Sequence, residues 1–243
     1  MRSRLRSFFL LFLTAAAMNA NAFTFQPMSA RLDSAGAGSI LTYRVSNDSD
    51  GPLAVRFSVL SRSIDREGTE TNEDASRLFT VYPSRVLVEP RSSSAVKLQW
   101  KGRADLSSEL AFRFVAENVS LESDGVASSS LKVKFRYVAS VYVGQETFLP
   151  KLVCTVTGAK GESGGKGFRV EVANRGTKHV IAEAVILTIM NVGGKTVVLK
   201  SDQLESISGT NFLSGDNRRF FIPWGQAVPE KKYDARIDYQ SEF

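Results

Sequence analysis

The sequence predicts an all-β protein built as two β-sandwich domains, and three observations carry that expectation. Apolar residues alternate with polar ones at a period of two, as in Leu41, Tyr43 and Val45 against Ile40, Thr42 and Arg44. The same rhythm returns in Leu53-Val55-Phe57-Val59, Val86-Val88 and Val96-Leu98-Trp100. Clusters of turn formers interrupt these runs every ~8–12 residues, which is the spacing of sandwich strands. Sustained helical periodicity is missing beyond the first 22 residues, and 243 residues suit two domains of ~110 each.

The first 22 residues read as an export signal. Arg2, Arg4 and Arg6 make a positive start, Phe8 to Ala17 a short apolar run, and Ala20-Asn-Ala22 a small-residue cleavage site. The first domain is expected over 23–143. Its turns fall at Asn47 to Pro52, a polar loop from Asp65 to Ser76, Glu89 to Ser93, Lys101 to Ser108, and Ser120 to Ser130. Residues 144–150, ending at Pro150, form the expected linker. The second domain, 151–243, restarts with Lys151-Leu-Val-Cys-Thr-Val and continues through Phe168 to Ala173, Val180 to Met190, Lys195 to Lys200, Arg219 to Ile222 and Tyr233 to Tyr239. Val180 to Met190 contains the helix-friendly Ala182-Glu-Ala184, yet its β-branched content favours a strand. Ala159 to Gly167 is a glycine-rich hairpin loop; it lacks the Gly-Lys-Ser/Thr ending of a phosphate loop.

Composition narrows the function classes. The formal charge of +6 falls by three signal arginines to +3, which gives nucleic-acid binding no support. One cysteine, Cys154, cannot form an internal disulfide, so it reads as a small core residue and stability must come from packing. The one histidine, His179, sits in the loop Asn174-Arg-Gly-Thr-Lys-His179 and reads as a loop residue at a strand entry. One histidine and one cysteine cannot build a zinc-type site, and no Gly-x-Ser-x-Gly elbow occurs. The acids Asp202 and Glu205, or Glu70, Glu73 and Asp74, read as solvated loop residues. The expectation is a protein that is not an enzyme and needs no cofactor, metal or small-molecule substrate.

The most informative stretch runs from Glu109 to Val143. Within Leu131 to Val143, Leu131, Val133, Phe135 and Tyr137 share one parity, while Lys132, Lys134 and Arg136 share the other. A cationic row of this kind is usually a solvated strand face. Its position just before the linker points instead to a crevice between the sandwiches, where arginine and lysine can hold a partner's terminal carboxylate.

The order of motifs resembles the periplasmic pilus-assembly chaperones, the PapD-like family, over almost the whole mature chain. Met28-Ser-Ala-Arg31-Leu32 is similar to the family's first strand with its cleft arginine. Val45-Ser-Asn47 with Gly51-Pro52-Leu-Ala-Val55, Phe79-Thr-Val-Tyr-Pro83, Val88-Glu-Pro90 with Val96-Lys-Leu98, and Glu109-x-x-Phe112-x-Phe114 follow in the family's order. Phe135-Arg136-Tyr137 and Val141-Tyr-Val143 resemble the non-classical branch; Val172-Ala-Asn174 and Phe221-Ile-Pro223 resemble its late motifs. The resemblance implies two immunoglobulin-like sandwiches set at an angle around a cleft. It also implies a periplasmic chaperone that caps pilus or fibre subunits by lending them a β-strand, with an outer-membrane usher as a further partner and self-association of the free form through the exposed edge. Arg31 matches the first carboxylate-binding cation; Lys134 matches the second by spacing from Tyr137, and Arg136 matches it by the Arg-Tyr pair. The donor strand leads into Phe135: either the small residues of Val126-Ala-Ser-Ser-Ser130 fill a shallow groove, or Leu131, Val133 and Phe135 insert in a shifted register.

Two other readings compete. An exported fibre or adhesin component would use the same sandwiches, and is expected to carry a donor extension before its first strand; here that strand starts within a few residues of Phe23. A secreted receptor domain would explain the glycosylation triplets Asn47-Asp-Ser49 and Asn118-Val-Ser120, but such triplets are common by chance and the missing disulfide weighs against it.

Overall fold

The computed structural model describes residues 23–119, 134–161, 164–226 and 228–241. The expected signal segment and the donor positions Leu131 and Val133 lie outside them. The strands are β1 (Thr24–Gln26), β2 (Ser29–Asp33), β3 (Ile40–Asn47), β4 (Leu53–Ser61), β5 (Ser63–Ile64), β6 (Glu70–Thr71), β7 (Phe79–Tyr82), β8 (Arg85–Val88), β9 (Ser92–Trp100), β10 (Leu110–Val119) and β11 (Arg136–Gly144). They continue as β12 (Leu152–Lys160), β13 (Lys166–Asn174), β14 (Val180–Val192), β15 (Lys195–Leu199), β16 (Asn211–Phe212), β17 (Asn217–Pro223), β18 (Lys232–Tyr233) and β19 (Ala235–Ser241). No α-helix occurs among the described residues. The all-β expectation holds.

The first sandwich faces sheet β1-β3-β9-β7 against sheet β2-β11-β10-β4-β8. The alternation read from sequence decides which side chains enter: Tyr43 and Val45, Val55, Phe57 and Val59, Val96, Leu98 and Trp100, and Phe112 and Phe114 are all buried. Phe114 lies at the centre, with ring centroids 4.7 Å from Tyr43, 5.4 Å from Phe25 and 5.7 Å from Phe57. Edge-on and tilted rings of this kind add to the area they bury. The Tyr43 hydroxyl has no hydrogen-bond partner, and burial pushes its phenol well above the usual range.

The chain enters by changing sheets. β1 pairs with β3 in one sheet, and two residues later β2 pairs in parallel with β11 in the other. That crossover carries Arg31 to the end of the first sandwich that faces the second.

The second sandwich packs sheet β17-β13-β12-β18 on β15-β14-β16, with β19 added along β14. Its core includes Val156, Phe168, Val170, Leu187, Ile189, Phe212 and Ile222, all buried. β14 is a strand over its whole length, as its β-branched residues demand; a bulge between Glu183 and Ile186 absorbs Ala184, whose φ is 45°. Cys154 is half-buried against this core. Burial first, then the Asp238 carboxylate, pushes its thiol up to about 11, so it stays protonated.

One expectation is corrected. The stretch from Asp65 to Ser76 is not simply a polar loop: β5 and β6 pair as a hairpin that begins before it, turned by Asp65, whose carboxylate accepts from the backbone N–H of Glu67 (3.0 Å) and Thr69 (2.8 Å). The signal was hidden because the strands are two residues long and polar. The hairpin reaches the second sandwich, where the Arg219 N–H donates to the Arg66 carbonyl (2.8 Å), Arg66 pairs with Glu171 (2.7 Å) and Arg219 with Glu67 (3.3 Å).

Candidate functional site

A cleft cavity of about 290 Å³ opens between the sandwiches, lined by Ser29, Ala30 and Arg31 of β2, Tyr142 of β11, the segment Lys178 to Ile181, and Ser241. The parallel register sets Arg31 opposite Tyr142. Arg31 is one-third exposed and donates to Asp33 at 2.6 Å; two residues apart on a strand, the two share a face, so the acid orients the guanidinium along β2.

The second-sandwich wall is held by a buried asparagine. Asn174 Nδ2 donates to the carbonyls of Lys178 (2.8 Å) and Phe212 (3.2 Å), and its Oδ1 accepts from the N–H of Lys151 (3.1 Å) and Gly176 (3.0 Å). Four bonds from one fully buried side chain fix the turn that carries Lys178 and His179. Gly176 is needed there, because a Cβ would come within 2.3 Å of the Leu149 carbonyl oxygen.

The first sandwich grips this same turn. The Glu109 N–H donates to the Thr177 carbonyl (2.8 Å), and the Glu109 carboxylate accepts from the His179 backbone N–H (2.9 Å) and pairs with the His179 Nδ1. Tyr142 stacks on the His179 ring, with centroids 3.5 Å apart and planes 4° from parallel. The Tyr142 hydroxyl accepts from Asn211 Nδ2 (2.6 Å) and from an Arg62 guanidinium nitrogen (3.3 Å). Behind it, Arg62 and Arg113 converge on Glu70 at 2.8 and 2.7 Å, and Arg113 also donates to Ser140 Oγ (2.7 Å). Burial pushes the Glu70 carboxyl up, but the two guanidinium groups outweigh it and hold it at about 2. Glu70 is therefore a structural anion rather than a solvated loop acid. Glu73, Asp74, Asp202 and Glu205 are exposed, as expected.

The other half of β11 follows the donor positions expected from the sequence. Strand β2 covers β11 only from Ser140 onward, where the Ser140 N–H donates to the Met28 carbonyl at 2.8 Å. From Arg136 to Ala139, β11 pairs with β10 on one side and with no strand on the other among the described residues. Phe135 extends this ladder: its N–H donates to Asn118 Oδ1 (2.7 Å) and its carbonyl accepts from the Asn118 N–H (3.2 Å). Its side chain is half-buried against its own core, as is that of Tyr137.

The three carboxylate-binding cations expected from sequence do not meet. Arg136 lies six residues before Tyr142 on β11, roughly 20 Å away at ~3.3 Å per residue, and Lys134 lies farther still. Arg136 instead sits opposite Glu117 and pairs with it at 3.0 Å, in a cross-strand row that continues to Arg56 at 3.0 Å. Lys134 is exposed. The register, invisible in the sequence, separates them: Arg31 faces the cleft cavity, and the other two flank the open end of the strand. What sequence reasoning missed is Tyr142, Lys178 and His179 in the cavity lining and Glu109, which holds His179 from 70 residues away.

No protein-family model matches the chain, and no curated protein matches it. Solved structures share its fold. The class 5 fimbriae chaperone CfaA superposes with a TM-score of 0.56 at 13% identity, over 91% of this chain and 100% of its own. A chain of the Salmonella enterica SafA pilin complex with the SafB chaperone matches at 0.54 and 14%, over 92% and 99%. A chain of the CsuC–CsuE chaperone–tip adhesion subunit pre-assembly complex, from the archaic chaperone-usher Csu pili of Acinetobacter baumannii, matches at 0.53 and 10%, over 82% and 89%. At these identities the likeness establishes the architecture: two β-sandwiches as in the pilus chaperones. The resemblance read from the sequence holds at that level.

Proposed function

We propose that this protein is a periplasmic chaperone that caps pilus or surface-fibre subunits. One observation carries the reading: the edge of β11 from Arg136 to Ala139, open among the described residues, and the cation-lined cavity at Arg31 lie on one strand system, a lendable edge beside an anchor. Edge strands with free N–H and C=O groups are pairing templates, and a client lacking a strand gains both main-chain hydrogen bonds and cover for its apolar groove. An uncapped client of that kind would aggregate through its exposed core. The client's C-terminal carboxylate docks at Arg31, and its edge runs along β11 and the residues before it, with Phe135 at the near end of the donor segment. Lys134 and Arg136 flank that edge and are left out of the anchor.

The same reading assigns residues 1–22 to export, 23–143 to the chaperone sandwich, 144–150 to the linker and 151–243 to the second sandwich, with an outer-membrane usher receiving the loaded complex. It calls for no catalytic group and no cofactor. The test is co-expression with the small secreted fibre subunits of the same host. The expected result is a soluble one-to-one complex that Arg31→Ala abolishes while the melting temperature is unchanged. Wild-type protein that captures no subunit, or that polymerises with itself, overturns the proposal.

A further inference from the structure

We propose that Glu70 is the positioning residue that holds the two halves of the client site in register, the pairing edge of β11 and the cavity wall at Arg31. This deepens the capping reading and rests on it. Ser140 and Tyr142 lie two residues apart on β11 and therefore share one face of the sheet. Their partners on β2 are Ser29 and Arg31, and on β10 Arg113 and Ala111. Ser140 marks the point where β2 begins to cover β11, and Tyr142 stands beside Arg31 in the cavity lining. One carboxylate reaches both. Glu70 accepts from Arg113 at 2.7 Å, and Arg113 donates on to Ser140 Oγ at 2.7 Å. Glu70 also accepts from Arg62 at 2.8 Å, and Arg62 donates on to the Tyr142 hydroxyl at 3.3 Å.

The arrangement is stiff because of its charges. The side chains of Arg62, Arg113 and Glu70 are 8%, 18% and 25% exposed, so two poorly hydrated guanidinium groups share one anion and would repel each other without it. Each arginine divides its nitrogens between Glu70 and a β11 side chain, a span that lysine's single nitrogen cannot cover. Glu70 itself is held from the far side. It opens β6, two residues after Gly68, and the hairpin tip rests on the second sandwich. There the Arg66 carbonyl accepts from the Arg219 N–H at 2.8 Å, and a Cβ on Gly68 would come within 2.3 Å of an Arg218 guanidinium nitrogen. The second sandwich thereby braces the carboxylate, and the carboxylate fixes the spacing between edge and anchor before a client arrives.

Two NMR signals of the whole protein read the two arms. One is the exchange protection of the Ser140 amide, bonded to the Met28 carbonyl; the other is the ring-current shift that Tyr142 imposes on His179. Ile189→Val, a core change in the second sandwich, sets the background of a general loss of stability. Glu70→Gln should speed Ser140 exchange about tenfold beyond that background and reduce the His179 shift as well. Arg113→Lys should move the Ser140 signal alone and Arg62→Lys the His179 signal alone. Both keep their charge beside Glu70, so both should fold even if Glu70→Gln does not. A Glu70→Gln variant that moves neither signal beyond background, or only one, overturns the assignment, as do lysine variants that move both signals equally. Capture of the co-expressed subunit separates the two levels. It should fall about tenfold in Glu70→Gln, although Glu70 is not one of the described residues lining the cavity. If both signals move while capture stays at the wild-type level, Glu70 serves the fold alone and capping stands; if wild type captures no subunit, the capping reading itself fails and this assignment with it.

Discussion

The two halves of β11 have opposite circumstances. From Ser140 to Gly144 the strand is enclosed between β10 and β2, and Val141 and Val143 are fully buried. From Arg136 to Ala139 it keeps β10 but has lost β2, and Arg136, Tyr137 and Val138 are at least partly exposed. One strand thus serves as the spine of a sandwich at one end and, among the described residues, as an unpaired edge at the other. The chemistry of the residues changes little between the halves. What changes is the neighbour, and the neighbour is set by where the entering chain crosses from one sheet to the other.

The largest effect should come from the shared support. Phe114 faces Ala139 across the ladder and is the centre of the aromatic core, so Phe114→Ala should cost about 3–5 kcal/mol in urea unfolding and loosen both halves together. A smaller cost would mean the core relaxes around the gap.

Proline separates the two sides of the strand. The Ser140 N–H points to β2, so by alternation the Val138 N–H points to the open side and the Ala139 N–H to Phe114 of β10. Ala139→Pro breaks a ladder bond and should destabilise by about 1–3 kcal/mol or more. Val138→Pro removes only the outward donor. It should change stability by less than about 1 kcal/mol yet lose subunit capture. Capture by Val138→Pro at the wild-type level would remove this edge from the mechanism.

Acid sharpens the contrast from the hinge side. Glu70 holds Arg113, which holds Ser140 at the junction of the halves. Its folded pKa of about 2 lies below the ordinary 4.5, so its contribution is complete above pH 4.5 and is lost as the pH falls toward 2. Urea midpoints of wild type and Glu70→Gln should differ most near neutrality and converge across that window. A constant difference would assign the effect to packing.

The smallest effect is expected at Arg136. It is exposed, and Glu117 retains Arg56 when it is gone, so Arg136→Ala should shift stability by about 0–1 kcal/mol and leave carboxylate binding untouched. Loss of subunit capture in this variant would return Arg136 to the anchor.

Much of the architecture was legible because alternation is a local property. Val55, Phe57 and Val59 declare their inward face without knowledge of any partner, and β-branched residues identify β14 against its alanines. The cleft was legible only at Arg31, through likeness in motif order. Its other walls depend on pairings across the chain: Glu109 meets His179 from 70 residues away, and Tyr142 is placed by a parallel register that no periodicity encodes. The placement of the cationic row before the linker depends on pairing in the same way. Parity assigns Lys134 and Arg136 to one face, but distance along the chain decides what that face looks upon. The β5–β6 hairpin was missed because its paired segments are too short and polar to alternate.

That hairpin reaches across to β17 while Glu109 seizes the turn at His179, so the two halves of the molecule are fastened at two separate points. A bracket bolted twice cannot swing freely. Under the proposed capping, a client tail arriving between its arms would meet a gap already at working width, and the rate of seating would then be governed by diffusion and charge steering rather than by waiting for jaws to close.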